Sequence, residues 1–139
     1  MKTWAALYLM VWLVFLGMLI ILFPVFGAQA SQGLHGVVGV AVVVLAYYAF
    51  RKVQKTSCPD RIKLITRTTT IFAIVAGLIG AILALPGSYA LTGSVEQFVL
   101  FLHFSLAVAI ITQASSSATA YDMWEEREFA QPPTSGPAA

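Results

Sequence analysis

The sequence predicts an all-α integral membrane protein. The expected architecture is an up-and-down four-helix bundle with both termini cytoplasmic. Three observations carry this. First, the 139 residues are 59% apolar and only 10% charged, with mean hydropathy +0.84. Soluble domains average roughly 45–50% apolar and about 25% charged, so an ordinary soluble globule is excluded. Disorder, which needs low hydrophobicity and high net charge, is excluded with it. Second, four stretches each supply the roughly 20 mainly apolar residues that cross a bilayer. They run over about 4–26, 29–50, 62–85 and 95–120. Third, the connections alternate between basic and neutral. All 8 Lys and Arg lie near the two ends and between spans two and three, the side that the positive-inside rule makes cytoplasmic.

The first span, Trp4 to Phe26, carries no charge. Ala28-Gln29-Ala30 after it fits a signal-peptidase site, but signal h-regions are only about 7–15 residues long, so the span reads as retained. Its side chains are bulky apart from Gly17, which predicts peripheral packing or a wide lipid-facing arc. The second span follows a short neutral link and carries Gly33, Gly36 and Gly39. The cytoplasmic connection holds Arg51, Lys52, Lys55, Arg61 and Lys63, with Arg67 just beyond. Ser57 as a cap, Pro59 and Asp60 suit the start of the third helix.

The third span places Ala73, Gly77, Gly80, Ala81 and Ala84 on one helical face. At its cytoplasmic end the hydroxyls of Thr68-Thr69-Thr70 can bond back to carbonyls one turn earlier. The outer connection, Pro86 to Ser94, has no basic residue, and Glu96 alone is charged there. The fourth span offers Ser105, Ala109, Thr112 and Ser116. Such small-residue stripes permit close helix packing in lipid, or leave space for a flat ligand. The membrane domain is therefore placed at 1–121. Residues 122–139 read as a polar cytoplasmic tail, whose Pro, Ser, Gly and Ala from Gln131 onward predict disorder.

Composition also limits function. The scattered cations leave no basic face for nucleic acid. Cys58 is the only cysteine, which excludes an internal disulfide, a thiol-pair oxidoreductase and a multi-thiolate metal site. The ionisable side chains well inside the spans are His35 and His103, the only histidines. Such residues mark functional sites by default. Spans two and four run in the same direction, which puts the two imidazoles at depths within roughly 3 Å of each other. Helices two and four are diagonal in such a bundle, so the rings can meet at its axis. This is the arrangement of a six-coordinate haem, with His35 and His103 as axial ligands and Gly36, Gly39 and Ala107 leaving room for the macrocycle. Gln32, Gln97, Ser88, Ser94 and Tyr89 would receive the propionates. The other readings are a hydrogen-bonded or proton-handling histidine pair, and a zinc or copper site, for which two histidines are too few donors.

The run Phe101-Leu102-His103-Phe104-Ser105-Leu106-Ala107 resembles the histidine helix of haem A synthases. The third span, with Gly77 and Gly80 before a Pro-Gly loop, is similar to the helix preceding it. The second span opens with a histidine at the outer face, as that family's does. The likeness covers roughly residues 30–120. It implies one four-helix half holding a haem between His35 and His103. Where the family's active half has a Glu and an Arg beside its first histidine, this chain has Gln32 and Gly36, and the family's outer cysteine pair is absent. The expectation is therefore one haem b per chain and electron transfer in a respiratory system of the plasma membrane. The partners expected are the lipid bilayer, further copies of the chain or a larger complex, and a quinone at a cleft of Tyr89, Phe98 and Phe101. One alternative is a compact haem A synthase using Glu96. The other is a non-haem structural subunit.

Overall fold

The computed structural model describes residues 2–84 and 93–130. They form four helices and, among the described residues, no strand: α1 (Thr3–Leu22), α2 (Ala28–Val53), α3 (Asp60–Ala84) and α4 (Ser94–Ala130). All four are long and apolar enough to cross a membrane, and the chain is compatible with a multi-pass membrane protein.

Local chemistry sets the helix ends. α1 stops at Leu22 rather than Phe26, because Phe23 precedes Pro24, and a residue before proline is pushed out of the helical region. Gly27 then takes φ 84°, a conformation that suits a residue without Cβ, and α2 starts. At the other end of α2, Arg51 and Lys52 occupy the last turn, where cations complement the helix dipole. At the head of α3 the carbonyl of Pro59 accepts from the backbone N–H of Ile62 at 2.9 Å. Pro59 thus stands at the mouth of the helix and Ser57 lies outside it. α4 continues unbroken through residues 122–130, which the sequence assigned to the tail. Residues 131–139, expected to be disordered, lie outside the described residues.

Each helix packs on its neighbours in chain order and α1 also packs on α4, while the diagonal pairs make no close backbone contact. Side chains alone therefore fill the axis. The main core joins Leu7, Met10 and Val14 of α1 to Val42, Ala46 and Ala49 of α2, Ala73 and Ala76 of α3, and Ile110, Ala114 and Ala118 of α4. A smaller cluster of Val53, Cys58, Ile62 and Tyr121, with Trp4 and Trp124 against it, closes the end that carries the basic connection.

Two packing expectations are corrected. α1 is not peripheral, since it buries Ala6, Leu7, Met10, Val14 and Gly17. It also keeps a lipid-type face of Trp12, Phe15 and Leu16. The predicted stripes of α2 and α4 are not the packed faces, and that of α3 is buried only at Ala73, since Gly77, Ala81 and Ala84 are exposed. Gly33 and Gly36 are exposed, as are Thr112 and Ser116. The buried edge of α2 is Val38, Val42, Ala46 and Ala49, and that of α4 is Ile110, Ala114, Ser117 and Ala118. Alanine gives nearly the close approach of glycine and adds side-chain contacts that glycine lacks.

Hydrogen bonds tie the helices near the basic end. The single hydroxyl hydrogen of Thr70 is shared between the carbonyls of Ala46 in α2 and Thr66 in its own helix, 3.0 and 2.9 Å away, and Val43 lies against Gly77. Oγ1 of Thr69 lies 3.0 Å from the side-chain amide of Gln113. The hydroxyl of Tyr8 lies 3.0 Å from that of Thr119. Each threonine of the 68–70 run also bonds back to a carbonyl one turn earlier.

Candidate functional site

The structure brings His35 and His103 together. Their ring centroids are 6.0 Å apart with planes at 60°. The rings come from α2 and α4, whose backbones do not touch, so the pair spans the axis. Each ring is anchored on a different third helix. Nδ1 of His35 lies 2.9 Å from the carbonyl oxygen of Gly17 in α1. Nδ1 of His103 lies 3.1 Å from that of Ala76 in α3. A carbonyl can only accept, so Nδ1–H donates in both bonds. When the rings are neutral, each Nε2 keeps its lone pair.

The closer of these approaches depends on a glycine. A Cβ on Gly17 would lie 3.5 Å from Nδ1 of His35, and one on Gly80 only 3.1 Å from Cε1 of His103. Nothing in the sequence pattern gives Gly17 or Ala76 a part in the site, and Gly80 stands out there only within a small-residue stripe and in the resemblance of the third span, not as a neighbour of His103. The three cofactor-cradle candidates sit differently. A Cβ at Gly36 or Gly39 would meet nothing within 4 Å, and Gly36 is exposed. Ala107 is partly buried against the main core.

The spacing of the two rings is compatible with two imidazoles held on one iron. A metal–imidazole bond is about 2.0–2.1 Å. Two such bonds in line, with the ring radii added, put the centroids about 6 Å apart. Histidines that hold metals almost always donate their other N–H to a carbonyl, carboxylate or water, and both do so here. Small residues, Gly17, Ala76 and Gly80, surround the pair. One turn before His35, Ser31 is 2% exposed and its hydroxyl has no partner. It is an orphaned buried polar atom on the histidine face of α2. Among the expected propionate receivers, Gln32, Gln97 and Ser94 are exposed, and Ser88 and Tyr89 lie outside the described residues. Phe98 and Phe101 are 64% and 67% exposed. No group of three or more His, Cys, Asp or Glu able to hold a metal ion occurs among the described residues. Glu96 is exposed.

No family model, curated protein or solved structure matches this chain.

Proposed function

We propose that the protein is a plasma-membrane four-helix bundle holding one haem b between His35 and His103, and that it transfers electrons within a respiratory system. The observation that carries this reading is the pair of neighbouring imidazoles, 6.0 Å apart, each with Nδ1–H committed to a backbone carbonyl. The cross-helix pairs support an up-and-down arrangement. Thr70 meets Ala46 while the later Gly77 meets the earlier Val43. Thr69 meets Gln113 while the later Ala76 meets the earlier His103. The basic α2–α3 connection then places that end, and both termini, in the cytoplasm. The likeness of the fourth span to the histidine helix of haem A synthases supports the same site.

Each part of the chain has a defined task. The carbonyls of Gly17 and Ala76 fix the tautomer and the ring orientation, and make Nε2 a better donor. Helices α1 and α3 hold the rings in place from the sides, while α2 and α4 bring them to the axis. A haem held by His35 and His103 would supply a reversible one-electron couple there. Electron transfer is preferred to haem O conversion because Gln32 lacks a carboxylate and Glu96 is exposed.

The test is a reduced-minus-oxidised absorbance spectrum of the purified protein, with a pyridine haemochrome assay. The expected result is a sharp low-spin b-type signal at about one haem per chain. His35→Ala and His103→Ala should insert normally and lose it. A haem-free protein after expression with ample haem, or normal haem in either variant, overturns the proposal.

A further inference from the structure

The basic end carries a charge imbalance that the histidine pair does not use. From residue 51 to residue 67, Arg51, Lys52, Lys55, Arg61, Lys63 and Arg67 are set against Asp60 alone. Among the described residues of this stretch the ion pair is Lys63 with Asp60, at 3.8 Å. Arg51 and Arg67 are exposed, and neither has an acidic partner among the described residues. Arg67 stands between Leu64 and Ile71, which are 61% and 49% exposed. It lies seven residues beyond Asp60, about 10 Å along α3 by helical rise. A cation on a lipid-facing row without a counter-charge is costly.

The register of α2 against α3 brings the two arginines level. Ala46 meets Thr70, Val43 meets Gly77, and Nε2 of Gln54 donates to the carbonyl of Lys63 at 3.3 Å. In that antiparallel order Arg51 stands opposite Thr66 and Arg67. Both arginines lie on the outer side of the seam. At about 100° per residue, Arg67 is turned roughly half a circle from Thr69 and Ala76, which face α4. Tyr47 adjoins Ala46 and is 51% exposed, and Arg51 follows it one turn on. The guanidinium of Arg51 lies 5.9 Å from the Tyr47 ring centroid and donates to its hydroxyl at 3.3 Å, so it leans back toward the apolar span. The Tyr47 hydroxyl keeps its own hydrogen to donate. Packed helices are about 8–10 Å apart, a gap that two like charges close only around an anion.

We infer that the outer seam of α2 and α3 seats the phosphate of an anionic phospholipid between Arg51 and Arg67. Each planar guanidinium can give two parallel N–H bonds to phosphate oxygens, and Tyr47 adds an O–H. The acyl chains lie along the exposed apolar rows of both helices. A zwitterionic lipid would bring an ammonium to a region whose single acid is already paired with Lys63, so a headgroup with net negative charge is favoured. The inference rests on the membrane-spanning reading and not on haem.

The full chain in detergent is titrated with phosphatidylglycerol or phosphatidylcholine of the same acyl chains, and retained lipid is counted by native mass spectrometry. The expected result is one phosphatidylglycerol per chain, retained in preference to phosphatidylcholine. Arg51→Gln and Arg67→Gln, both exposed changes that leave the core intact, should each weaken retention about tenfold, the effect of losing a charged hydrogen bond. Arg67→Lys keeps the charge without the planar fork and should fall between Arg67→Gln and the parent. Lys55→Gln and Arg61→Gln remove the same charge away from the seam and should change retention by about twofold at most. Equal retention of the two lipids overturns the inference. So does retention that Arg51→Gln and Arg67→Gln leave intact, or that Lys55→Gln weakens as much, which would mean diffuse attraction. Displacement of the lipid by an equal concentration of inorganic phosphate overturns it too. Haem per chain is recorded on the same samples, and its absence overturns the haem reading alone.

Discussion

Gly80→Ala and Gly17→Ala are the same chemical change against two equivalent rings, yet the structure predicts opposite outcomes. A methyl on Gly80 falls 3.1 Å from Cε1 of His103, where carbon pairs settle at about 3.5–4.0 Å. The ring must retreat by roughly half an ångström. It cannot do so freely, because Nδ1 is held 3.1 Å from the Ala76 carbonyl and His35 stands on its other side at 6.0 Å. Overpacking of this kind costs about 1–3 kcal/mol, and replacing glycine within a helix returns about 0.5–1 kcal/mol. The net expectation is a loss near 1 kcal/mol. A methyl on Gly17 falls 3.5 Å from His35 and 3.5 Å from Val38, an ordinary contact, so the helix gain of about 0.5–1 kcal/mol survives. The two variants should differ by about 1–2 kcal/mol in reversible unfolding of the haem-free protein in mixed micelles. Haem should follow, since disturbing a ligand's supporting hydrogen bond typically costs 10–100-fold in metal affinity. Gly80→Ala should release haem faster in a transfer assay, and Gly17→Ala should match the parent. Equal stability and equal haem retention in the two would refute the reasoning that Gly80 positions His103.

Three further outcomes are expected. Thr70 is 6% exposed and its hydroxyl ties α3 to the Ala46 carbonyl of α2, so Thr70→Val should cost about 0.5–1 kcal/mol in the same unfolding assay; an unchanged midpoint would show that the interhelical bond contributes nothing. Ser117 is 1% exposed with an unpartnered hydroxyl, so Ser117→Ala should be neutral or stabilise by about 1 kcal/mol, whereas clear destabilisation would reveal a partner for that hydroxyl. In a Cys58→Ala background, Lys55→Cys and Val25→Cys should react with an impermeant maleimide from opposite sides of the membrane, and labelling of both from one side would refute the up-and-down topology.

The helices were legible because hydropathy and charge act over whole segments. Their ends were less so. The stop of α1 at Leu22 is written in Pro24, but a window of apolar residues runs past it to Phe26. The length of α4 was hidden for a different reason. Tyr121 and Trp124, 5.3 Å apart, pack with Val53, Cys58, Ile62 and Trp4. Those partners come from α1, α2, α3 and the α2–α3 connection, so a local reading of Asp122 to Glu128 shows only polarity. The packed faces were misjudged because small residues occur on both sides of α2 and α4. Size alone does not say which side meets a neighbour.

The candidate site divides along the same line. Two lone histidines in apolar helices stand out, since ionisable groups are rare there. Their anchors do not, because the acceptors are backbone carbonyls, which every residue has. What distinguishes Ala76 is the residue four places on. The helical pattern assigns the Ala76 carbonyl to the N–H of Gly80, and a carbonyl has a second lone pair to give. Reaching that lone pair from outside requires clearance beside residue 80, and glycine provides it. In α1 the acceptor is the carbonyl of Gly17, but a Cβ there would meet the His35 ring only at an ordinary contact distance of 3.5 Å. The two anchors therefore differ: the His103 ring needs the missing side chain of Gly80, whereas the His35 ring would be admitted by an alanine at position 17 as well.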